Sequence, residues 1–115
     1  MKAMRLHSDG AGGTRYTEVE IGGEAKAPIP TLEMMVGFVR GAAAMAFHPA
    51  PFRALITCLR GEVEVAATNG EARRFGPGDW LMVDDVGTPG HTTRSVGGEC
   101  QLLRSRVPDD WNGWS

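Results

Sequence analysis

Sixteen glycines and seven prolines in 115 residues cut this chain into pieces too short for sustained helix. Glycine costs backbone entropy inside a regular element, and proline removes a donor and clashes with the preceding helical turn. Spaced this closely, the two leave segments of strand length between turns.

The segments are patterned accordingly. Ala3 to Ser8 is a short strand, followed by the loop Asp9-Gly10-Ala11-Gly12-Gly13. Thr14 to Ile21 alternates, with Val19 and Ile21 on one face, and Gly22-Gly23 ends it. Ala27-Pro28-Ile29-Pro30 is extended, because each proline disfavours helix at the residue before it. Leu32 to Val39 is apolar almost throughout, and Gly37 and Gly41 shorten any helix there, so it reads as a core strand. Gly41 to Phe47 carries alanines that favour helix by propensity. The following His48-Pro49-Ala50-Pro51 requires extended backbone, and the segment reads as an irregular strand.

Ala54 to Leu59 is a buried strand turned by Gly61. Glu62-Val63-Glu64-Val65 alternates, valines inward and glutamates outward. Asn69-Gly70 signals a hairpin in which both central residues suit positive φ, with Arg73 to Phe75 as the return strand. Pro77-Gly78-Asp79 is a tight turn in which Asp79 bonds backbone. Trp80 to Val83, His91 to Val96 and Cys100 to Val107 are the remaining strands, and Pro108 to Ser115 is a tail. The expectation is one all-β domain over residues 1–115, a closed or two-sheet antiparallel barrel. Periodicity alone does not separate a jelly roll from a sandwich or another small barrel.

Charge narrows the partners. Hydrophobic residues are 42% of the chain, charged residues 23%, and the net charge is −2. That balance offers no basic surface for nucleic acid or an anionic membrane. No stretch approaches the roughly 20 apolar residues of a bilayer span. Met1 to Asp9 has no apolar run of signal-peptide length, so the expectation is a cytoplasmic protein. Cys58 and Cys100 lie in apolar strands and read as small buried hydrophobes rather than a disulfide.

Two stretches carry a resemblance. One runs from His48-Pro49-Ala50-Pro51 to Gly61, the other from Phe75 to Arg94 through Gly78-Asp79, a buried strand, the loop Asp84-Asp85-Val86-Gly87-Thr88-Pro89-Gly90, and His91. Together they resemble the two motifs of a small single-domain bacterial cupin, over residues 47–106. Counted back from Gly61, the first histidine slot of the cupin pattern is His48. The second histidine slot is Ala50 and the glutamate slot is Ala54. The glycine and proline spacing of the second loop departs from the common form. The resemblance implies a double-stranded β-helix, the cupin jelly-roll barrel, and a homodimer.

In metal-binding cupins three histidines and a glutamate hold one divalent ion. By that resemblance His48 and His91 are the candidate metal ligands, with Asp84 or Asp85 as neighbouring carboxylates. Two imidazoles fall short of the three protein ligands usual even in a catalytic zinc site. The plainer reading makes them hydrogen-bonded polar residues at the barrel mouth. His7 has no partner in sequence and reads as structural.

Strand alternation places Ala54, Ile56 and Cys58 inside with His48 and Ala50. Alanine in place of histidine and glutamate enlarges a cavity and makes it more apolar, which suits a small organic ligand. Met35, Trp80, Phe38 and Met45 are further lining candidates, against a plain core role. Arg53 and Arg94 have the chemistry to clamp a carboxylate, although an arginine on a strand more often faces water. Asp84-Asp85 reads as a loop cap. Trp111 and Trp114 are expected to fold back on the barrel or against a dimer mate, with a free tail as the alternative. The favoured function is small-molecule binding with an incomplete metal-ligand set. The alternatives are a metal-dependent oxygenase or isomerase using His48 and His91, and a structural module. No catalytic residue and no substrate is legible.

Overall fold

The computed structural model describes residues 1–23, 28–41 and 46–114. Nine strands follow in chain order: β1 Lys2–Ser8, β2 Thr14–Glu20, β3 Glu33–Val39, β4 Ala54–Arg60, β5 Val63–Ala67, β6 Ala72–Phe75, β7 Trp80–Asp84, β8 His91–Ser95 and β9 Cys100–Arg106. The described residues contain no helix, so none is long and apolar enough to cross a membrane. Six strands form one sheet in the order β2-β1-β7-β4-β9-β3, and three form a second in the order β6-β5-β8. β1 and β7 pair in parallel, and the remaining ladders are antiparallel.

The main core lies between the sheets. Leu6, Cys58, Val83 and Leu102 come from the large sheet, and Val63, Val65 and Phe75 from the small one. Period-two alternation explains the set: Leu81 and Val83, Cys100 and Leu102, and Val63 and Val65 each share one face of a strand. A fully buried side chain such as Leu6 contributes roughly 1.5–3 kcal/mol. Tyr16 of β2 joins the layers, its hydroxyl donating to the Val65 carbonyl at 2.9 Å. Burial raises the Tyr16 phenol above its ordinary pKa.

A second cluster covers the opposite face of the large sheet. Ala3, Val19, Leu55, Met82 and Val107 form it, with Trp80, Trp111 and Trp114 packed against them. The two tail tryptophans therefore fold back on their own chain. Their rings meet edge to face at 5.4 Å, and Arg5 lies over the Trp114 ring at 4.7 Å.

Two local expectations change. β3 is a strand but not a core strand: Met34, Val36 and Phe38 are 59%, 56% and 47% exposed. Among the described residues it sits at the edge of its sheet and pairs only with β9. Apolar content alone does not reveal that lack of cover. At Asn69-Gly70 only the glycine takes positive φ, at 90°. Gly70 N donates to the Ala67 carbonyl at 3.1 Å, and Ala67 N to the Glu71 carbonyl at 2.9 Å. The connection is a longer loop ending on a left-handed glycine rather than a two-residue turn. Residues 42–45 of the irregular strand read over Gly41 to Phe47, Met45 among them, lie outside the described residues, as does Ala27.

Candidate functional site

The site starts where β7 runs out. Leu81, Val83 and Asp85 alternate onto the inner face, so the residue after the strand turns a carboxylate inward, where it is fully buried. The loop then returns to His91, the first residue of β8. His48 pairs with His91 as an isolated antiparallel bridge, each backbone N–H donating to the other's carbonyl at 3.1 Å. Gly90 makes this approach possible. Its φ is +88°, and a Cβ there would sit 2.0 Å from the His48 carbonyl carbon. Thr14 adds a tie, its hydroxyl donating to the Gly90 carbonyl at 2.8 Å.

Asp85 holds the two histidine segments together. Its Oδ2 accepts from His91 Nδ1 at 2.5 Å, and its Oδ1 accepts from the Ala50 N–H at 3.1 Å. The carboxylate keeps the His91 proton on Nδ1. His48 Nδ1 donates to the Ala46 carbonyl at 2.9 Å. In the neutral form of each ring Nε2 therefore carries a lone pair, and neither Nε2 has a partner among the described residues. The two rings stand 5.1 Å apart between centroids.

These rings border a cavity of about 200 Å³ between the sheets, whose walls include Ile56, Val65, Phe75, Val83 and Leu102. A smaller space of about 90 Å³ adjoins it, bounded by Ala50 and Ala54 and by the same His48, His91 and Arg104. Cys58 lies on the wall of the larger space. Its Sγ is 3.5 Å from that of Cys100, and both thiols are free and buried. Burial, then the hydrogen bond with Cys58, raises the Cys100 thiol above its ordinary pKa.

Other sequence candidates lie elsewhere. Trp80 alternates to the outer face with Met82 and packs in the second cluster, so it does not line the cavity. Met35 borders a separate depression beside β3, together with Phe38 and Arg104. Phe38 reaches the main cavity as well. Asp84 points to the outer face, where its carboxylate accepts from Arg5 at 2.6 Å and from Arg53 at 2.8 Å. Arg53 also donates to the Pro108 and Asp109 carbonyls, and Arg94 is held by Glu64 at 2.9 Å. Neither arginine faces the cavity. His7 bonds Thr17 and Ser8, and burial lowers its pKa. Asp79 accepts from the Gly76 N–H at 2.9 Å, within its turn.

The cavity arginine is Arg104, which composition does not distinguish from the other arginines of the chain. The signal for it is the alternation of β9, which puts Arg104 on the face of Cys100 and Leu102. Asp85 is legible in the same way, two residues beyond Val83.

The donor set bears on a metal. No group of three or more His, Cys, Asp or Glu able to hold an ion occurs among the described residues. Asp85 spends one oxygen on His91 Nδ1 and the other on Ala50. The residues present thus supply two nitrogen donors and do not fit a resident ion held by three or four protein ligands.

No family model and no curated protein matches the chain. Among solved structures, it is similar to the crystal structure of a conserved protein of unknown function from Streptococcus pyogenes. The TM-score is 0.51 at 22% identity, over 71% of this chain and 69% of that one. The likeness is one of fold.

Proposed function

We propose that the chain is a cupin-type barrel that binds a small organic molecule between its sheets, at the His48–His91 end of the cavity. The supporting observation is the cavity of about 200 Å³, apolar along its body and polar at one end. An engineered apolar cavity of roughly 150 Å³ already takes up benzene. The two Nε2 lone pairs add acceptors for an O–H or N–H of the bound molecule. A thermal-shift screen of ring-sized organic molecules tests the reading. A ligand at a hundredfold excess over its Kd adds about 2.7 kcal/mol, a rise in Tm on the order of 10 °C. The reading fails if no organic compound stabilises the protein.

A second reading has His48 and His91 holding a divalent ion, as a metal-dependent oxygenase or isomerase would. The Nδ1-protonated form of both rings favours it, since that form presents Nε2 to an ion. The donor count opposes it. Metal analysis of protein purified without a histidine tag separates the two. The organic-ligand reading expects a stoichiometry near zero and no shift with added iron, nickel or zinc. About one ion per chain, with a marked shift, reverses the order.

We also infer a homodimer joined through β3. Leu32, Met34, Val36 and Phe38 are all exposed there, at an unpaired sheet edge. Such an edge invites strand pairing, and an antiparallel copy of itself is a self-complementary partner about a two-fold axis. Light scattering should give twice the 12.3 kDa chain mass, and Val36→Lys should halve it. A wild type that scatters as a single chain rejects the dimer.

A further inference from the structure

Arg104 differs from every other arginine that is not exposed. Arg5 and Arg53 bond Asp84, and Arg94 bonds Glu64. The side chain of Arg104, half-buried on β9, makes no hydrogen bond or ion pair with a described residue. It lies opposite Ile56 of β4 in register, and it borders both the larger cavity and the smaller space beside Ala50 and Ala54. Among the described residues, no aspartate or glutamate lines either space. Asp85, the one buried carboxylate among the described residues, is occupied by His91 and Ala50. A guanidinium held partly out of water without a counter-charge is costly, and an anion entering the cavity relieves that cost.

We propose that Arg104 anchors the carboxylate of a small monocarboxylic acid whose apolar body fills the space between Val65, Phe75 and Leu102. This identifies the ligand class of the binding function proposed above and rests on it. One planar fork matches one carboxylate through two parallel N–H···O bonds. The cavity volume leaves room for a single ring or a branched aliphatic body. Thr93, one alternation beyond His91 on β8, also borders the cavity.

Calorimetric titration with benzoate and with its uncharged analogue benzamide tests this on the wild-type chain, on Arg104→Met and on Arg104→Lys. The wild type should bind benzoate more tightly than benzamide. Arg104→Met, similar in length but uncharged, should weaken benzoate about 10- to 100-fold and leave benzamide unchanged. Arg104→Lys keeps the charge without the fork and should fall between. The melting transition of each variant shows that it is folded, and Arg104→Lys carries the test if Arg104→Met does not fold. Benzamide bound as well as benzoate by the wild type, or benzoate affinity untouched in the folded variants, overturns the carboxylate anchor while leaving the cavity reading intact. A wild type that binds neither probe overturns the carboxylate anchor, and the thermal-shift screen then decides the cavity reading.

Discussion

Replacing Gly90 by alanine is expected to be among the most damaging single-methyl changes available to this chain. Two costs combine. Gly90 holds φ at +88°, where an L side chain loses roughly 1–2 kcal/mol. The new Cβ would also lie 2.0 Å from the His48 carbonyl carbon and 2.1 Å from its oxygen. Those are backbone atoms and have no rotamer to escape into. The His48 segment must retreat, and both His48–His91 backbone hydrogen bonds go with it, at about 1 kcal/mol each. The expected total is roughly 3–5 kcal/mol, a large part of the 5–15 kcal/mol typical of a folded domain. Gly87→Ala is the control. Its φ is +77°, but nothing lies within 4 Å of the place its methyl would take, so it isolates the backbone cost. Urea midpoints of the two variants decide the matter: if Gly90→Ala loses no more than Gly87→Ala, the close approach to His48 is not a structural necessity.

Asp85→Ala should cost a comparable amount, roughly 3–5 kcal/mol, for an electrostatic reason. Asp85 is fully buried and accepts two hydrogen bonds, from the His91 ring and from the distant Ala50 segment. Truncation strands the His91 Nδ1–H and the Ala50 N–H together, and each unmet buried donor costs about 1–3 kcal/mol. Asp85→Asn separates fold from site. Its carbonyl oxygen still accepts from Ala50, but its amide now faces His91 Nδ1 as a donor. The imidazole must then carry its proton on Nε2, which removes the lone pair from the cavity. The expected result is a smaller loss, about 1–2 kcal/mol, with nitrogen NMR showing His91 changed from the Nδ1-H to the Nε2-H form. An asparagine variant whose His91 keeps the wild-type tautomer would show that Asp85 does not set it.

Much of this architecture was readable because turn chemistry and alternation are local. The strands around Val63 and Val65, Leu81 and Val83, and Cys100 and Leu102 follow from period two. Their ends follow from glycines and prolines. Even Asp85 and Arg104 were available by extending a parity along β7 and β9. What hid Arg104 is that a strand arginine usually faces water, and parity does not say which face is the inner one until the neighbouring strands are known. Arg53 and Arg94 lie in or beside strands as well, and they face outward, to Asp84 and Glu64.

Local patterning specifies an all-β chain, its turns, and two histidines each beside a proline- or glycine-rich bend. It also contained the alanines that now bound the space beside those histidines. Which side chains share that space depends on how the strands pair. Strand order placed β9 between β4 and β3, which set Arg104 across from Ile56 and left β3 uncovered at the edge. It also gave Asp85 its two partners, six and thirty-five residues away. Period and turn are encoded within a few neighbouring residues, whereas hydrogen-bond partners and burial depend on which strands pair across the whole chain.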